Sequence, residues 1–242
     1  KTLKKLMAGN EAIAEGVIQA GCRFYAGYPI TPQNELTAYM AEYMPKAGGV
    51  FIQAESELAA VNMVLGASAC GARAMTSSSS PGISLKQEGI SYLVGSELPC
   101  LILNVVRGGP GLGTIQPSQA DYFQSTKGGG HGDYRMIVLA PASVQEMADF
   151  VKLGFDLAFK YRNPVLMLSD GIIGQMMEQV ELFDQIPRAT EFDQAWTTTG
   201  KTPDRERNII TSVNLDPAVQ ERHNHKLQAK YQKMREDEVR FE

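Results

Sequence analysis

The sequence predicts an α/β fold in which helices cover both faces of a parallel sheet. Six short apolar runs recur along the chain, and each suits a buried strand. Helical patterns of about 10 to 18 residues lie between these runs. Strands that alternate with helices of this length need crossover connections, and such connections produce a parallel sheet with helices on each side.

The predicted strands are residues 22–26, 50–53, 73–76, 100–106, 136–140 and 165–169. The helices between them have recognisable starts. Thr31-Pro32 and Ser80-Pro81 each predict an N-cap followed by a proline in the first helical position. Ser143 and Glu146 form the ends of a capping box, which predicts a helix that continues to about residue 161.

Composition excludes several classes of protein. The chain has 242 residues, of which 43% are hydrophobic and 21% charged, so it can bury a core without disulfides. Cys22, Cys70 and Cys100 have no CxxC or metal-finger spacing, and we therefore expect neither a metal site nor an iron–sulfur cluster held by this chain alone. The net charge of −4, without a basic cluster in the body, argues against nucleic-acid binding.

Targeting signals are also absent from the sequence. No apolar run approaches the length of about 18 residues that would indicate a membrane span. The basic N-terminal residues are interrupted before the apolar region of a signal peptide can form. We therefore expect a protein of the reducing cytoplasm, without a membrane partner.

The charge pattern divides the chain into two parts. Residues 201–242 carry nine Lys/Arg and eight Asp/Glu, whereas the other 200 residues carry 33 charged side chains. The character of the sequence changes near residue 185. We therefore predict a body, residues 1–184, followed by a connector or arm, residues 185–242.

The arm contains one predicted helix, within residues 216–241. Pro217 suits its first turn, and Leu227, Tyr231 and Met234 fall at helical spacing. Such a segment buries little by itself. The sequence leaves open whether the helix packs on a neighbour or is solvated.

The candidate site lies in the loops that follow the strands, because parallel sheets bind ligands at the carboxyl ends of their strands. These loops are residues 27–31, 54–57, 77–81, 107–133 and 170–177. The fourth loop contains eight of the 23 glycines, and a loop of this length in a compact domain is usually functional. Within it, Arg107 suits an anionic ligand or a salt bridge to a neighbouring carboxylate. His131 is either a ligand contact or an accessory of the loop.

The shorter loops place polar groups at helix starts. Thr31 is either a plain N-cap or a ligand contact. Glu55 and Glu57 precede a helix rich in Ala and Gly, and the helix dipole alone would explain either acid. The serine run 77–80 predicts a tight polar loop that offers hydroxyls and amides to a ligand. Dinucleotide, Walker A, HExxH and GxSxG motifs are missing.

Five separated motifs within about residues 5 to 182 are familiar as a set. They are Gly27-Tyr28-Pro29-Ile30-Thr31-Pro32, Glu55-Ser56-Glu57 with its Ala/Gly helix, the TSSSSPGISL run from Thr76, the NVVRGGP run from Asn104, and Gly129-Gly130-His131-Gly132-Asp133. Together and in this order they resemble the alpha subunit of 2-oxoacid:ferredoxin oxidoreductases. The 2-ketoisovalerate (3-methyl-2-oxobutanoate) members are the most similar, and the 2-oxoglutarate members come next.

The resemblance implies a thiamine diphosphate enzyme in which this chain supplies the pyrimidine-binding domain. By this resemblance Glu57, rather than Glu55, is the catalytic acid that hydrogen-bonds N1′ of the aminopyrimidine. A carboxyl group there favours the imino tautomer, which can accept a proton. Thr31 and Arg107 match the positions that contact the 2-oxoacid, with the guanidinium facing its carboxylate. The predicted cofactor contacts are Tyr28, Pro29, Ile30, Glu57, Ser79 and Ser80, and His131 is a candidate loop contact.

The implied reaction is the oxidative decarboxylation of a 2-oxoacid, branched-chain by resemblance, to acyl-CoA with electrons passing to ferredoxin. Ser169-Asp170-Gly171 does not supply the GDG motif that holds Mg²⁺ and the diphosphate. We therefore expect a diphosphate-binding beta subunit that carries Mg²⁺, a ferredoxin-like iron–sulfur subunit, and a dimer of such complexes. Coenzyme A and ferredoxin are the other expected partners, and the chain alone should be inactive.

Family alpha subunits continue into a further domain after the connector. A chain that begins at Lys1 and ends at Glu242 is therefore expected to be partial. Three alternatives stay open: a 2-oxoglutarate enzyme, a thiamine enzyme of the transketolase or decarboxylase type, and a non-catalytic α/β ligand-binding or assembly subunit. In the last, Glu57 would be only a helix-start acid. The residues identify neither the 2-oxoacid nor the coenzyme A site.

Overall fold

The six predicted apolar runs form one parallel sheet. The structure is a computed structural model that describes residues 4–184 and 195–240. The sheet has the order β3-β2-β4-β5-β7-β6, and every neighbouring pair is parallel. Its strands are β2 (Phe24–Gly27), β3 (Val50–Gln53), β4 (Ala74–Ser78), β5 (Leu101–Val106), β6 (Ile137–Leu139) and β7 (Val165–Asp170). The predicted α/β class is confirmed.

Two groups of helices pack on this sheet. The helices are α1 (Gly9–Gln19), α2 (Asn34–Lys46), α3 (Glu57–Ala69), α4 (Ser80–Gly95), α5 (Tyr122–Lys127), α6 (Val144–Tyr161), α7 (Gly171–Gln175) and α8 (Pro217–Asp237). Helix α1 contacts both α2 and α6, whereas α3 contacts α4. The apolar side chains between helices and sheet form the main core, in which every residue of β5 is buried.

The helix starts follow the predictions with one exception. Ser143 caps α6 by accepting a hydrogen bond from the Glu146 amide at 3.2 Å, and α6 ends at Tyr161 as expected. Helix α4 begins at Ser80, one residue before the predicted position, with Ser79 as its N-cap. The predicted start at Thr31-Pro32 is wrong. This peptide bond is cis, and α2 begins at Asn34 after the N-cap Gln33.

An antiparallel ribbon lies outside the main sheet and was not anticipated. Strand β1 (Lys4–Ala8) pairs with β8 (Met177–Glu181), so that Lys4 faces Glu181 and Ala8 faces Met177. Both strands mix charged with apolar residues and are largely exposed, with Met7 and Val180 as their buried residues, unlike the other six strands. A second small core joins the ribbon to α1 and α6.

The predicted arm helix is α8, and it packs on the body of this same chain. Asp216 caps it by accepting a hydrogen bond from the Ala218 amide at 2.9 Å. Leu227, Tyr231 and Met234 are buried in the main core. The predicted boundary between residues 184 and 185 falls at the start of residues 185–194, which lie outside the described residues. Residues 1–3 and 241–242 also lie outside them. The division into two domains stays a prediction.

No helix in residues 4–184 or 195–240 combines the length and apolar character needed to cross a bilayer.

Candidate active site

Thr31 and Arg107 meet at the carboxyl edge of the sheet. Arg107 directly follows β5 and is only 9% exposed. Its Nη1 donates to the Thr31 carbonyl at 3.1 Å, and its Nη2 donates to the Leu112 carbonyl at 3.0 Å. The buried Nε has no partner among the described residues. No described carboxylate pairs with this guanidinium, so the salt-bridge interpretation of Arg107 is not supported, and its Nε–H remains available to an anion.

Ser80 ties the start of α4 to the end of β5. Its hydroxyl donates to the Arg107 carbonyl at 3.2 Å and lies 3.1 Å from the Arg107 amide, which donates to it. The Ser80 amide donates to Asn104 Oδ1 at 3.0 Å. Because its hydroxyl is engaged within the protein, Ser80 orients Arg107. Its role as a cofactor contact stays a prediction.

Glu57 lies beside the serine run. It is the first residue of α3, after the cap Ser56, and it is 6% exposed. A Cβ atom added to Gly82 would lie 2.6 Å from Glu57 Oε1 and 2.0 Å from Ser78 Oγ. Only glycine therefore allows α4 to approach this carboxylate so closely. No described residue donates a hydrogen bond to the Glu57 carboxylate.

Unpartnered polar atoms cluster around this carboxylate. Ser78 and Ser79 are fully buried, and the hydroxyls of both lack a partner within the described residues. Buried hydroxyls without partners are costly and call for an explanation, which makes this cluster the candidate ligand site. Glu55, in contrast, is exposed, which favours Glu57 as the functional acid.

Ser77 belongs to a hydrogen-bonded network below the loop 28–31. The Tyr25 hydroxyl lies 2.7 Å from Ser77 Oγ, and Ser77 Oγ donates to Gln33 Oε1 at 2.5 Å. Gln33 Nε2 donates in turn to the Tyr28 carbonyl at 3.5 Å. The network fixes the turn that carries Thr31. Tyr28 and Pro29 remain exposed and Ile30 half-buried, so these predicted cofactor contacts face outward from the turn.

Lys86 is a buried residue that the sequence reading missed. Its side chain is fully buried in α4, and Nζ donates to Thr76 Oγ1 at 2.9 Å and to the Glu57 carbonyl at 3.3 Å. Burial lowers the pKa of Lys86 to about 8, although the nearby Glu57 charge opposes this shift. Lys86 falls on the helical stripe of Gly82, Gly89 and Leu93, and that spacing could have identified it as buried.

His131 lies near the C-terminal half of α4, away from Glu57 and Arg107. Its carbonyl accepts a hydrogen bond from Ser91 Oγ at 2.9 Å, and its ring meets the edge of Tyr92 at 6.1 Å. Ser91 stands about 16 Å along α4 from Ser80, at a rise of about 1.5 Å per residue. Tyr134 fixes the same loop by donating to Gln87 at 2.7 Å. The structure does not bring His131 together with Glu57 or Arg107, which favours the accessory interpretation.

Asp170 has a structural task. Its carboxylate caps α7 by accepting hydrogen bonds from the amides of Ile172, at 2.8 Å, and Ile173, at 3.1 Å. The residue lines a cavity of about 370 Å³ next to the carboxyl ends of β5, β6 and β7. Among the residues that the structure describes, no group of three His, Cys, Asp or Glu side chains could hold a metal ion, and all three cysteines are free.

Comparison with known proteins shows the family to which the chain belongs. A family profile described as pyruvate flavodoxin/ferredoxin oxidoreductase, thiamine diphosphate-binding, matches residues 15–241. The ketoisovalerate oxidoreductase subunit VorB of Methanothermobacter thermautotrophicus is 50% identical over 98% of this chain and 67% of its own length. The 2-oxoglutarate synthase subunit KorA of Methanocaldococcus jannaschii is 50% identical over 75% of this chain and 50% of its own length.

A solved structure shares the fold. It is the 2-oxoglutarate:ferredoxin oxidoreductase from Magnetococcus marinus with 2-oxoglutarate, coenzyme A and succinyl-CoA bound. The match has a TM-score of 0.85 and 33% identity, and it covers 98% of this chain and 46% of the other. The chain thus spans about two thirds of the ketoisovalerate subunit and about half of the 2-oxoglutarate proteins.

Proposed function

Because the chain belongs to the pyruvate flavodoxin/ferredoxin oxidoreductase family through its thiamine diphosphate-binding domain, we propose that it forms the pyrimidine side of the active site of a 2-oxoacid:ferredoxin oxidoreductase. The proposed reaction is the oxidative decarboxylation of a branched-chain 2-oxoacid to acyl-CoA, with electrons passing to ferredoxin. Two ketoisovalerate oxidoreductase subunits that each match 98% of this chain support the branched-chain substrate.

The observation that carries this proposal is the buried carboxylate of Glu57, which receives no hydrogen bond from a described residue and lies near the unpartnered hydroxyl of Ser78 at Gly82. An aminopyrimidine offers a ring nitrogen and an amino group, which match a carboxylate and hydroxyls that lack partners. The residues therefore fit the group. Glu57 would hold N1′, Ser79 and the turn formed by Tyr28, Pro29 and Ile30 would hold the ring, and bound thiamine diphosphate would supply the electron sink for decarboxylation.

Glu57 has the proton-transfer role in this proposal. With thiamine diphosphate bound, its carboxyl group would hydrogen-bond N1′ and would favour the imino tautomer of the aminopyrimidine. The site around Glu57 is buried, and a low local dielectric strengthens this hydrogen bond. The small residue at Gly82 keeps α4 against the carboxylate and excludes water from that side.

Arg107 and Thr31 bind the substrate. A guanidinium held by two backbone carbonyls is oriented in advance, and its unpartnered Nε–H can donate to the carboxylate of the 2-oxoacid. Thr31 Oγ1 accepts a weak hydrogen bond from Asn34 at 3.3 Å, and its hydroxyl can donate to the substrate. Ser80 contributes by fixing the backbone of Arg107.

The remaining parts of the reaction belong to partners. Since the described residues hold no metal cluster and Asp170 is occupied as a cap, we assign Mg²⁺ and the diphosphate to a beta subunit. Iron–sulfur clusters are assigned to a ferredoxin-like subunit, and coenzyme A and ferredoxin complete the complex. The relatives that are named as subunits support a multisubunit enzyme. The free thiols are consistent with a cytoplasmic location.

A 2-oxoglutarate substrate is the second candidate. It is favoured by the KorA subunits, at about 50% identity over three quarters of this chain. A panel of 2-oxoacids assayed on the natural complex for coenzyme A-dependent viologen reduction separates the two substrates.

The decisive test is Glu57→Gln in that complex, with Glu55→Gln as the matched control. We expect Glu57→Gln to lower kcat by about 10²- to 10⁴-fold, the usual contribution of a positioned acid or base. Glu55→Gln should retain wild-type turnover, because Glu55 is exposed. Full activity of Glu57→Gln would contradict the proposed role, and inactivity of the wild type with every 2-oxoacid would favour an assembly subunit. Turnover without coenzyme A or an electron acceptor would indicate a decarboxylase or transketolase.

A further inference from the structure

Lys86 is a buried cation whose presence the reaction scheme does not yet explain. Its side chain is fully buried, yet no described carboxylate forms a direct ion pair with it. An ammonium group that leaves water without such a pair loses much of its hydration free energy. A hydroxyl and a backbone carbonyl are its observed partners. The protein therefore retains a costly charge at this point.

The position of Lys86 is defined by three structural elements. Its side chain extends from α4. The ammonium group donates hydrogen bonds to Thr76 in β4 and to Glu57, the first residue of α3. Two glycines flank it on the same face of α4. A Cβ atom at Gly82 would meet Glu57, and one at Gly89 would lie 2.4 Å from Val61 in α3. The ammonium group is thus placed where α4 is held close against α3.

The charge that faces Lys86 is that of Glu57. Thr76 on β4 is uncharged, and α4 presents glycine on either side, so Glu57 on α3 is the titratable group that acts on Lys86. A cation near a carboxyl group favours the ionised carboxylate, and its hydrogen bond to the Glu57 carbonyl also fixes the backbone that carries the side chain.

We propose that Lys86 is a positioning residue for the reaction: its ammonium group fixes the first turn of α3 against β4 and so holds the Glu57 carboxylate in place for the cofactor ring. This inference rests on the proposed function of Glu57. Lys86 itself touches neither cofactor nor substrate in this scheme, and it acts through Glu57 alone.

The proposal predicts a specific pH dependence. Burial lowers the pKa of Lys86 from its ordinary value of 10.5 to about 8. Below pH 8 the group is charged and supports Glu57, and above pH 8 it becomes neutral. The kcat of the wild-type complex should therefore fall as the pH rises through about 8. A variant that has no lysine at this position should lack that alkaline limb.

The test is Lys86→Met in the natural complex, with Lys152→Met as the control. Methionine keeps the length and packing of the side chain but removes the charge. Lys152 is a half-exposed lysine of α6 that pairs with Asp156, far from the site. We expect Lys86→Met to lower kcat about 10- to 100-fold, the range typical of lost electrostatic stabilisation, with little change in the KM for the 2-oxoacid.

Three further measurements do not depend on turnover. Calorimetry should show weaker binding of thiamine diphosphate to Lys86→Met, and near-ultraviolet circular dichroism should show a smaller signal from the imino tautomer of the bound cofactor. Thermal denaturation should show equal or higher stability, because the buried charge has been removed. A residue with only a structural role would lower stability and leave the tautomer signal unchanged.

The outcomes separate this inference from the proposed function. If Lys86→Met keeps wild-type kcat, tautomer signal and alkaline limb while Glu57→Gln is inactive, the role of Lys86 is overturned and that of Glu57 stands. If Glu57→Gln is fully active, the proposed role of Glu57 is contradicted, and the role of Lys86 that rests on it is contradicted as well. If Lys86→Met does not fold, Lys86→Gln, which keeps hydrogen-bond donors without the charge, decides the question by the same measurements.

Discussion

Two regions of this chain bury charged groups, and they do so differently. At the carboxyl edge of the sheet, Glu57, Lys86 and Arg107 are buried without a direct ion pair to any described residue. At the junction between α8 and the body, here called the α8 anchor and formed by Glu97, Arg162, Lys226, Lys230 and Glu238, carboxylates meet cations directly.

The contacts of the α8 anchor are satisfied within the protein. Glu97 binds Lys226 and, at 3.3 Å, Lys230, which also donates to the Arg162 carbonyl at 3.2 Å. Burial would raise the pKa of Glu97, but the two lysines outweigh burial and hold that pKa below its ordinary value. Glu238 accepts hydrogen bonds from Lys160, at 2.5 Å, and Tyr161, at 2.8 Å.

The difference between the two regions teaches how to separate structural from functional charge. In the α8 anchor the charges complete one another, so they hold α8 in place and need no ligand. At the sheet edge the charges form no such ion pairs, and the hydroxyls of Ser78 and Ser79 have no partner among the described residues, which supports the proposed ligand site. Substitutions at the edge should therefore affect binding and turnover, whereas substitutions in the anchor should affect stability.

Among substitutions that leave the charged residues in place, Gly82→Ala should have the largest effect, because it disturbs the edge directly. The added Cβ atom would overlap Ser78 Oγ and Glu57 Oε1, so the carboxylate must move. We expect a loss of kcat of about 100-fold, because a displacement of this size destroys catalytic alignment. Overpacking should also cost about 1 to 3 kcal/mol in the free energy of unfolding.

Gly66→Ala is the control for this substitution. A Cβ atom at Gly66, also within a helix, would meet nothing within 4 Å. Alanine there should stabilise α3 by about 0.5 to 1 kcal/mol. Denaturant unfolding together with steady-state kinetics measures both effects. Equal kinetics for the two alanine variants would disprove the close approach of α4 to Glu57.

An intermediate effect is expected for Glu97→Gln in the α8 anchor. The substitution keeps the shape of the side chain but leaves Lys230 buried without its carboxylate. We expect a loss of about 2 kcal/mol in the free energy of unfolding, below the range for fully buried pairs because Lys226 is largely exposed. Turnover per folded molecule should stay at the wild-type value. Glu221→Gln, on the exposed face of α8, is the control.

The pH dependence of Glu97→Gln gives a second check. Because the folded-state pKa of Glu97 lies below its ordinary value of 4.5, the carboxylate contributes stability above that pH. This contribution is lost as the pH falls through the folded-state pKa. The stability difference between wild type and variant should therefore be full at pH 7 and shrink under more acidic conditions. A difference independent of pH would show that charge is not its origin.

The smallest effects distinguish neighbouring serines. Ser77→Ala removes the hydroxyl that joins Tyr25 and Gln33, and we expect a loss of about 1 to 2 kcal/mol in the free energy of unfolding. Ser78→Ala removes a hydroxyl without a partner, and stability should change by no more than about 0.5 kcal/mol. The affinity of the complex for thiamine diphosphate should fall several-fold for Ser78→Ala. Equal destabilisation by both substitutions would contradict the observed network.

The sequence could predict most of the sheet for a physical reason. Buried parallel strands carry continuous apolar runs, and Leu101–Val106 is such a run. The same reason explains what was missed, since Lys4–Ala8 is mostly exposed, begins with two lysines and pairs with a strand far away in the chain. The start of α2 was misplaced because Pro32 suits a first turn in isolation, whereas tertiary contacts of Gln33 and Arg107 hold this segment as a turn.

The sequence could single out those candidate site residues that are charged and that also lie in the loops after strands. Glu57 and Arg107 are charged residues at strand ends, and their motifs resemble a known family. Lys86 could not be found in this way, because a lysine within a helix usually faces solvent and only the packing of α4 on α3 buries it. The pairing of Arg107 with the Thr31 carbonyl likewise depends on the order of the strands in the sheet.

The ribbon of β1 and β8 has a consequence for how this body can be combined with other sequences. Since Lys4 pairs with Glu181, the chain enters and leaves the body at the same place. A domain whose two ends lie close together can be inserted into another sequence, because the insertion does not distort the domain. Because α8 packs Leu227, Tyr231 and Met234 into the main core, a transferable unit would have to include α8 as well as residues 4–181.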